Sequence, residues 1–195
     1  MFSDAVVAIA ITLLALELPV PEGHDVSEFW HSVRANDGHY LAFLISFLVI
    51  AMAWGEHHRV FRTALRVDTR LRKINLVWLM MIILNPFATK MLIEEGHDTV
   101  ATHALRWGFY ALLQVLGNVA LLTLTYYLRT LNPAGTGAGV DGNEGSYGVI
   151  IGFGLSIPVF FATTNAWVLW ILGPLLTQRV YRRFWGRGDR ELRDA

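Results

Sequence analysis

The residues of this sequence that are best suited to chemistry are a few polar side chains beside long apolar stretches. Ser3 and Asp4 come directly before a run of Ala, Val, Ile and Leu at the start of the chain. Ionisable groups in membrane helices are costly, so they usually have a partner or a function. A carboxylate at a helix start also suits the helix dipole, and either side chain can cap free amides there. Simple capping and a buried polar network therefore both fit Ser3 and Asp4.

A second group of such side chains lies in the segment WGEHHRVFR, residues 54–62. Glu56, His57 and His58 are residue types that can bind metals or transfer protons. Adjacent residues point about 100° apart on a helix, and zinc-binding helices space their histidines at i and i+4. The pattern therefore disfavours a metal site. It favours a hydrogen bond from His57 or His58 to the first helix.

Other site classes find little support in the sequence. It has no cysteine, phosphate-binding glycine loop, nucleophile motif or T-V-G-Y-G potassium filter. The net charge of zero gives no indication of nucleic-acid binding. Without a nucleophile or a convergent metal set, the chain is predicted not to be an enzyme, although Glu56, His57 and His58 would be its acid–base candidates. No cofactor is predicted.

Six apolar segments position these side chains. Hydrophobic residues make up 54% of the chain, and seven tryptophans suit the membrane interfaces. Each segment approaches the roughly 20 residues that cross a bilayer, and none has the period of a strand. The sequence therefore predicts an all-α membrane protein, with residues 1–195 forming one domain of six transmembrane helices. The predicted spans are 2–20, 40–56, 74–93, 104–128, 147–162 and 165–180.

The charged residues between the segments predict the topology. A secretory signal peptide begins with basic residues, but the first basic residue here is Arg34, so the first segment is interpreted as a retained membrane helix. Arg and Lys are concentrated in the second connection and in the tail 181–195, whereas the first and third connections are mainly acidic. By the positive-inside rule both termini are cytoplasmic, as are the basic tail and the glycine-rich linker 131–146.

Two helices have features of their own. In the third segment, Pro86 removes a backbone hydrogen bond and predicts a kink, and Asn85 is placed to satisfy the freed carbonyls. On a helical wheel the first segment has two candidate packing faces, and periodicity alone does not show that either lines a pore. One face contains Phe2, Ala5, Ile9, Thr12, Leu13 and Leu16. The other contains Asp4, Ala8, Ile11, Ala15 and Leu18.

Three stretches in order carry a family resemblance: FSDAVVAIAITLLALELPV, SFLVIAMAWGEHHRVFR and INLVWLMMIILNPFATKML. Together they cover most of residues 2–92. They closely resemble the transmembrane protein 175 family of potassium channels, in its short prokaryotic form with one six-helix unit per chain. The Phe-Ser-Asp triplet that opens an apolar first helix is the family signature. It is specific when the His-His and Pro-Phe segments follow it.

The resemblance implies a potassium-selective, leak-type channel in a prokaryotic cell membrane, with K⁺ as the permeant ion. It implies a homotetramer whose first helices line the pore, with rings of apolar side chains as a hydrophobic gate and a threonine tied to selectivity. The matching constriction positions are Ile9, Thr12, Leu13 and Leu16. The family's polar network maps to Ser3, Asp4, Trp54, His57 and Asn75. The family also has an arginine shortly before the triplet, which this sequence, beginning at Met1, does not carry.

At the outer mouth of such a pore, Glu17 and nearby acids are expected to concentrate monovalent cations. The alternative function is a secondary transporter or proton-coupled cation carrier. That class predicts inverted repeats and ionisable residues in the middle of the membrane. Neither is evident, because the acids and histidines lie near the ends of the apolar segments. Unitary currents in single-channel recordings would favour the channel, and slow saturable flux would favour the carrier.

Overall fold

Helices form nearly all of the described part of the chain. The computed structural model describes residues 2–62, 64, 67–93, 99–131 and 144–184, except for the side chains of 144, 178 and 181–184. Most of the linker 131–146 and of the tail 181–195 lies outside these residues. The α-helices are α1 (Phe2–Leu16), α2 (Val26–Ala35), α3 (Asp37–Phe61), α4 (Thr69–Ile93), α5 (Val100–Leu131), α6 (Glu144–Phe160) and α7 (Val168–Phe184), with a 3-10 helix at Thr164–Trp167.

The predicted all-α class is confirmed, and no strand occurs among the described residues. Three helices, α3, α4 and α5, are long and apolar enough to cross a membrane. The other apolar helices are shorter: Phe2–Leu16, Gly145–Phe160 and Thr164–Thr177. Six membrane crossings therefore stay a prediction, and three helices have the length and hydropathy that a crossing requires.

The region after α1 differs from the prediction. The predicted span 2–20 is longer than the observed helix, which ends at Leu16. The helix does not continue because Pro19 and Pro21 follow, and a proline disfavours helical geometry at the residue before it. The connection then forms α2, which the sequence analysis did not anticipate. At its start Asp25 accepts a hydrogen bond from the Glu28 amide at 2.8 Å, and Glu28 accepts one from the His24 amide at 2.8 Å. This resembles a capping box.

The helices pack around α4 and α5. Helix α1 packs against α3 and α4, α4 packs against α5, and α5, α6 and α7 follow in order. The core accordingly has two parts. One joins α1, α3, α4 and α5 and includes Leu14, Ile50 and Trp78. The other joins α4 to α5, α6 and α7 and includes Tyr110 and Trp170. Helices α1 and α3 contribute to the first part alone, whereas α4 contributes to both.

Helix α4 runs through Pro86 without ending. The proline has no amide hydrogen for the carbonyl of Ile82. The Asn85 side chain donates a hydrogen bond to Met81 O at 3.0 Å and accepts one from Gln114 at 2.8 Å. The side-chain amide of Asn85 therefore donates to the carbonyl of Met81 and not to the carbonyl of Ile82 that Pro86 frees, which differs from the prediction.

A chain of buried hydroxyl groups lies close to this point. Thr89 Oγ1 donates to the Asn85 carbonyl at 2.8 Å and lies 2.7 Å from Ser46 Oγ, which is 3.1 Å from the Tyr110 hydroxyl. Thr89, Ser46 and Tyr110 are all buried. These contacts link α3, α4 and α5 inside the bundle, where unpaired polar groups would be costly.

Helices α6 and α7 approach each other through glycines. A Cβ atom on Gly173 would lie 2.5 Å from Gly152 Cα, and one on Gly152 would lie 2.5 Å from Leu169 O. Small residues at helix interfaces allow the backbones to touch in this way. The two backbones are in direct contact here and leave no space for a side chain.

Candidate functional site

Helix α1 has one buried face and one exposed face. Val7, Ala10 and Leu14 are buried against the chain's own helices. On the exposed side, relative accessibility is 58% for Ile9, 45% for Leu13 and 80% for Leu16. Thr12 is also exposed. All four positions assigned to the constriction therefore lie on the surface of α1 that the described part of the chain leaves exposed.

The other face named on the helical wheel is not the one that packs. Ala8 and Ala15 are exposed, and Ile11 is half-buried. The buried stripe runs instead through Val7, Ala10 and Leu14, between the two faces. Ala10 is the small residue that lets α1 approach its neighbours closely. Periodicity did not identify this stripe because nearly every position of the helix is apolar.

The Thr12 side chain folds back on its own helix. Its hydroxyl donates a hydrogen bond to the Ile9 carbonyl at 2.8 Å. A hydroxyl has one hydrogen and two lone pairs, so the Thr12 oxygen keeps its capacity to accept. The exposed stripe of α1 therefore carries one electron-rich oxygen among large apolar side chains.

The five residues assigned to the polar network come together at the end of the bundle where α1 starts. Trp54 Nε1 donates to Asp4 Oδ1 at 3.0 Å, and Asn75 Nδ2 donates to Ser3 Oγ at 3.1 Å. His57 Nε2 lies 2.7 Å from Asn75 Oδ1. These bonds connect α1 to α3 and α4. We call the set the polar bracket; it consists of Ser3, Asp4, Trp54, His57 and Asn75.

His57 is held by aromatic rings as well as by Asn75. Its imidazole is buried and stacks on Trp78, with ring centroids 4.0 Å apart and planes 11° apart. Phe61 lies on the same helix with its ring centroid 4.4 Å from that of His57. Because Asn75 gives its amide hydrogen to Ser3, its carbonyl oxygen accepts from His57, which requires the hydrogen on Nε2. Trp78 was missed by the sequence analysis, although it lies one helical turn after Asn75.

The neighbours of His57 do not extend the polar bracket into a metal site. Glu56 pairs with Arg59 on its own helix, and the His58 ring lies 5.6 Å from the Trp54 ring. Across the described residues, no three His, Asp or Glu side chains are grouped closely enough to hold a metal ion. Of the two histidines, His57 makes the inward hydrogen bond, but its partner is Asn75 on α4 and not, as the sequence had predicted, a residue of α1.

Glu17 lies beyond the opposite end of α1, near the end of α4. Its carboxylate forms an ion pair with Lys90 Nζ at 3.0 Å, and both side chains are largely exposed. An exposed pair of this kind contributes little to stability. It does compensate the charge of Glu17. The prediction that Glu17 attracts cations at an outer mouth did not include Lys90, the basic residue in the last turn of α4.

The part of this chain that is similar to known proteins includes the residues of the polar bracket. A family model described as "Endosomal/lysosomal potassium channel TMEM175" matches residues 1–86. A potassium channel of Streptomyces collinus is 39% identical over 127 residues, which are 65% of this chain and 61% of that protein. A potassium channel of Chamaesiphon minutus is 43% identical over 96 residues, or 48% and 47% of the two chains. The alignments therefore span less than two thirds of either relative.

A solved structure extends the comparison to the whole fold. The crystal structure of a lysosomal potassium-selective channel TMEM175 homolog from Chamaesiphon minutus superimposes with a TM-score of 0.70. It is 28% identical, and the match covers 93% of this chain and 94% of that one. The family model contains α1, α3 and the first part of α4, and therefore the whole polar bracket. In its first 86 residues and in its fold, this chain is similar to the TMEM175 potassium channels.

Proposed function

We propose that this chain is a subunit of a potassium channel in which copies of α1 surround the pore. The observation that carries the proposal is the exposed apolar stripe of α1, which contains Ile9, Leu13 and Leu16. A large uncovered apolar surface on a helix requires a partner or lipid. The names of the relatives from Streptomyces collinus and Chamaesiphon minutus support ion conduction rather than enzymatic catalysis.

In the proposed assembly four copies form a ring, and each chain crosses the cell membrane six times. Both termini are then cytoplasmic, which places the polar bracket at the cytoplasmic end of α1 and the Glu17–Lys90 pair at the outer end. Six crossings fit three long apolar helices and three shorter ones. The concentration of Arg and Lys in the second connection supports this orientation.

The proposed pore is closed by apolar side chains. A cation that passes a ring of Ile9, Leu13 or Leu16 loses water and receives no oxygen in return. Such a constriction dewets and stops conduction. Thr12 lies between these rings, and its hydroxyl already donates to the Ile9 carbonyl. Its lone pairs are therefore available to a partly hydrated ion, and potassium, which holds water less tightly than sodium, passes more easily.

The polar bracket would hold this gate in place. Two of its hydrogen bonds, Trp54–Asp4 and Asn75–Ser3, tie α1 to α3 and α4. Widening the apolar rings requires α1 to rotate or tilt, and this motion strains both bonds. The bracket therefore fixes the closed position of α1 at its cytoplasmic end, and any opening stimulus must overcome it.

Reconstitution into liposomes tests the gate. Leu13→Asn introduces a polar ring and should raise the basal potassium flux by wetting the constriction. Leu112→Asn is the matched control, because Leu112 lies on α5 with the same 45% exposure. An unchanged flux in Leu13→Asn, or an equal rise in both variants, would remove α1 from the pore.

Selectivity has a separate test. Thr12→Ala removes the oxygen without adding bulk, and reversal potentials in mixed potassium and sodium solutions report the permeability ratio. A lower ratio is expected. An unchanged ratio would leave Thr12 without a part in selectivity, while unitary currents would still distinguish a channel from a carrier.

A further inference from the structure

A cavity of about 430 Å³ opens at the end of the bundle where Lys90 lies. The start of α3, the end of α4 and the tryptophans of α5, α7 and the 3-10 helix line it. Its size falls within the range of sites for small molecules in proteins. None of the lining residues belongs to α1, so the cavity is separate from the proposed pore.

The inner walls of the cavity are apolar and preformed. Leu41, Ala42 and Ile45 contribute an aliphatic side from two turns of α3. Trp107 and Trp170 contribute an aromatic side, with ring centroids 5.5 Å apart. The Trp170 ring is fixed because its Nε1 donates to the buried Ser156 hydroxyl at 2.8 Å. These walls suit the tail of an amphiphile without rearranging.

The carboxylate among the described lining residues of the cavity belongs to Asp37. Asp37 lines it from the first position of α3, and no hydrogen bond or ion pair joins its carboxylate to another described residue. Among the described lining residues the other titratable one is His39, and none of them is a lysine or an arginine. An anionic ligand would therefore meet a carboxylate with no compensating cation, whereas a cationic headgroup would complement it.

Trp167 provides a second feature that suits a cation. Its side chain is 40% exposed, and in the described part of the chain no aromatic ring packs against it. The face of an indole attracts ammonium groups through its quadrupole, more strongly where water is excluded. A carboxylate and an open tryptophan face on one cavity are the elements that bind an ammonium group.

We propose that this cavity binds an amphiphile in which one ammonium headgroup is joined to an apolar tail. The ammonium lies at Asp37 and Trp167, and the tail lies along Leu41 and Ala42 toward the tryptophan wall. The shared chemistry of the ligand is the ammonium group with its alkyl chain, supplied either by a membrane lipid headgroup or by a free hydrophobic amine.

Photocrosslinking of the purified full-length protein tests the proposal. The probe is a dodecylamine that carries a diazirine, with the matching carboxylic acid and alcohol as comparison probes. Micelles of dodecyl maltoside keep the surroundings free of charge. Mass spectrometry should find the amine on residues 37–45 at about five times the level of the acid, as a favourable contact of about 1 kcal/mol predicts.

Variants assign the effect to the cavity. Asp37→Asn should abolish the preference for the amine, and Ala42→Trp, which fills the cavity, should reduce labelling by all three probes. Glu22→Gln removes an exposed carboxylate outside the cavity and should leave the preference intact. Equal labelling by the three probes, or a preference that survives in correctly folded Asp37→Asn, would overturn the proposal.

A competition experiment then identifies the source of the ammonium group. Phosphatidylethanolamine is added to the micelles before illumination. Loss of amine labelling at residues 37–45 would support a membrane lipid as the natural ligand, and persistence of labelling would support a free amine. Labelling confined to other helices in both conditions would refute the site itself.

Discussion

Replacing Asn75 by alanine should loosen the start of α1 more than any other single change in the polar bracket. Asn75 makes two hydrogen bonds to other helices, to His57 at 2.7 Å and to Ser3 at 3.1 Å. The substitution leaves the Nε2 hydrogen of His57 without an acceptor in a buried site. It also removes a bond that reaches from α4 to α1.

The two losses set the expected magnitude. A buried donor that loses its partner costs about 1–3 kcal/mol. An interhelical hydrogen bond in a membrane protein contributes on average about 0.6 kcal/mol. We therefore expect Asn75→Ala to lower the free energy of unfolding by about 2 kcal/mol, which is roughly a thirty-fold change in the equilibrium between folded and unfolded protein.

Unfolding of the detergent-solubilised protein by sodium dodecyl sulfate measures this change. Asn118→Ala is the matched control, because among the described residues the side chain of Asn118 donates to Gln114 O at 3.0 Å, within its own helix. A double-mutant cycle of Ser3→Ala with Asn75→Ala should give a coupling of about 0.5–1 kcal/mol. If Asn75→Ala and Asn118→Ala cost the same, or if the coupling is zero, the polar bracket does not hold α1.

Two further predictions concern other parts of the fold. Gly173→Ala should separate α6 from α7 and lower the thermal unfolding midpoint, because the new Cβ would lie 2.5 Å from Gly152 Cα. Gly154→Ala is the control and should be tolerated, because the nearest atom to its Cβ would lie at 3.9 Å. Equal midpoints for the two variants would refute the close contact. The phenol of Tyr127 and the backbone amide of Leu71 donate to the Asp68 carboxylate and hold the pKa of Asp68 below its ordinary value of 3.8. Ionised Asp68 therefore stabilises the folded protein fully above pH 3.8. This stabilisation is lost as the pH falls through the lower pKa of the folded state. Unfolding midpoints measured from pH 3 to pH 7 should therefore show a constant difference between wild type and Asp68→Asn down to about pH 4 and a shrinking difference below it. A difference that grows on acidification would contradict this assignment.

The sequence predicted the parts of this molecule that depend on local pattern. The all-α class follows from long apolar runs, whereas Asn85 donates to Met81 O and not to the carbonyl that Pro86 frees. The face of α1 that is buried was not predictable, because almost every residue of that helix is apolar and any face could pack. Helix α2 was missed although the residues Asp25 and Glu28, three positions apart, are a helix-start pattern that the sequence does contain.

Contacts between residues far apart in the sequence could not be predicted from local patterns. Ser46, Thr89 and Tyr110 form one buried set, yet Ser46 and Tyr110 are 64 positions apart in the chain. Each appears on its own as a minor polar residue in an apolar helix. The ion pair of Glu17 with Lys90 was missed for the same reason. The residues of the polar bracket could be named from the family resemblance, whereas the bonds among them required the fold.

The contacts of α1 have a mechanical consequence. In the described part of the chain α1 packs against α3 and α4, while α6 and α7 pack on α5 and on each other. A force applied to the α6–α7 pair then reaches α1 through α5, and from α5 either through the proline-containing α4 or through α3, which the Ser46–Tyr110 hydrogen bond joins to α5. Helix α4 packs directly against both α1 and α5. A movement of α6 and α7 that displaces α5 would therefore shift the wall against which α1 rests.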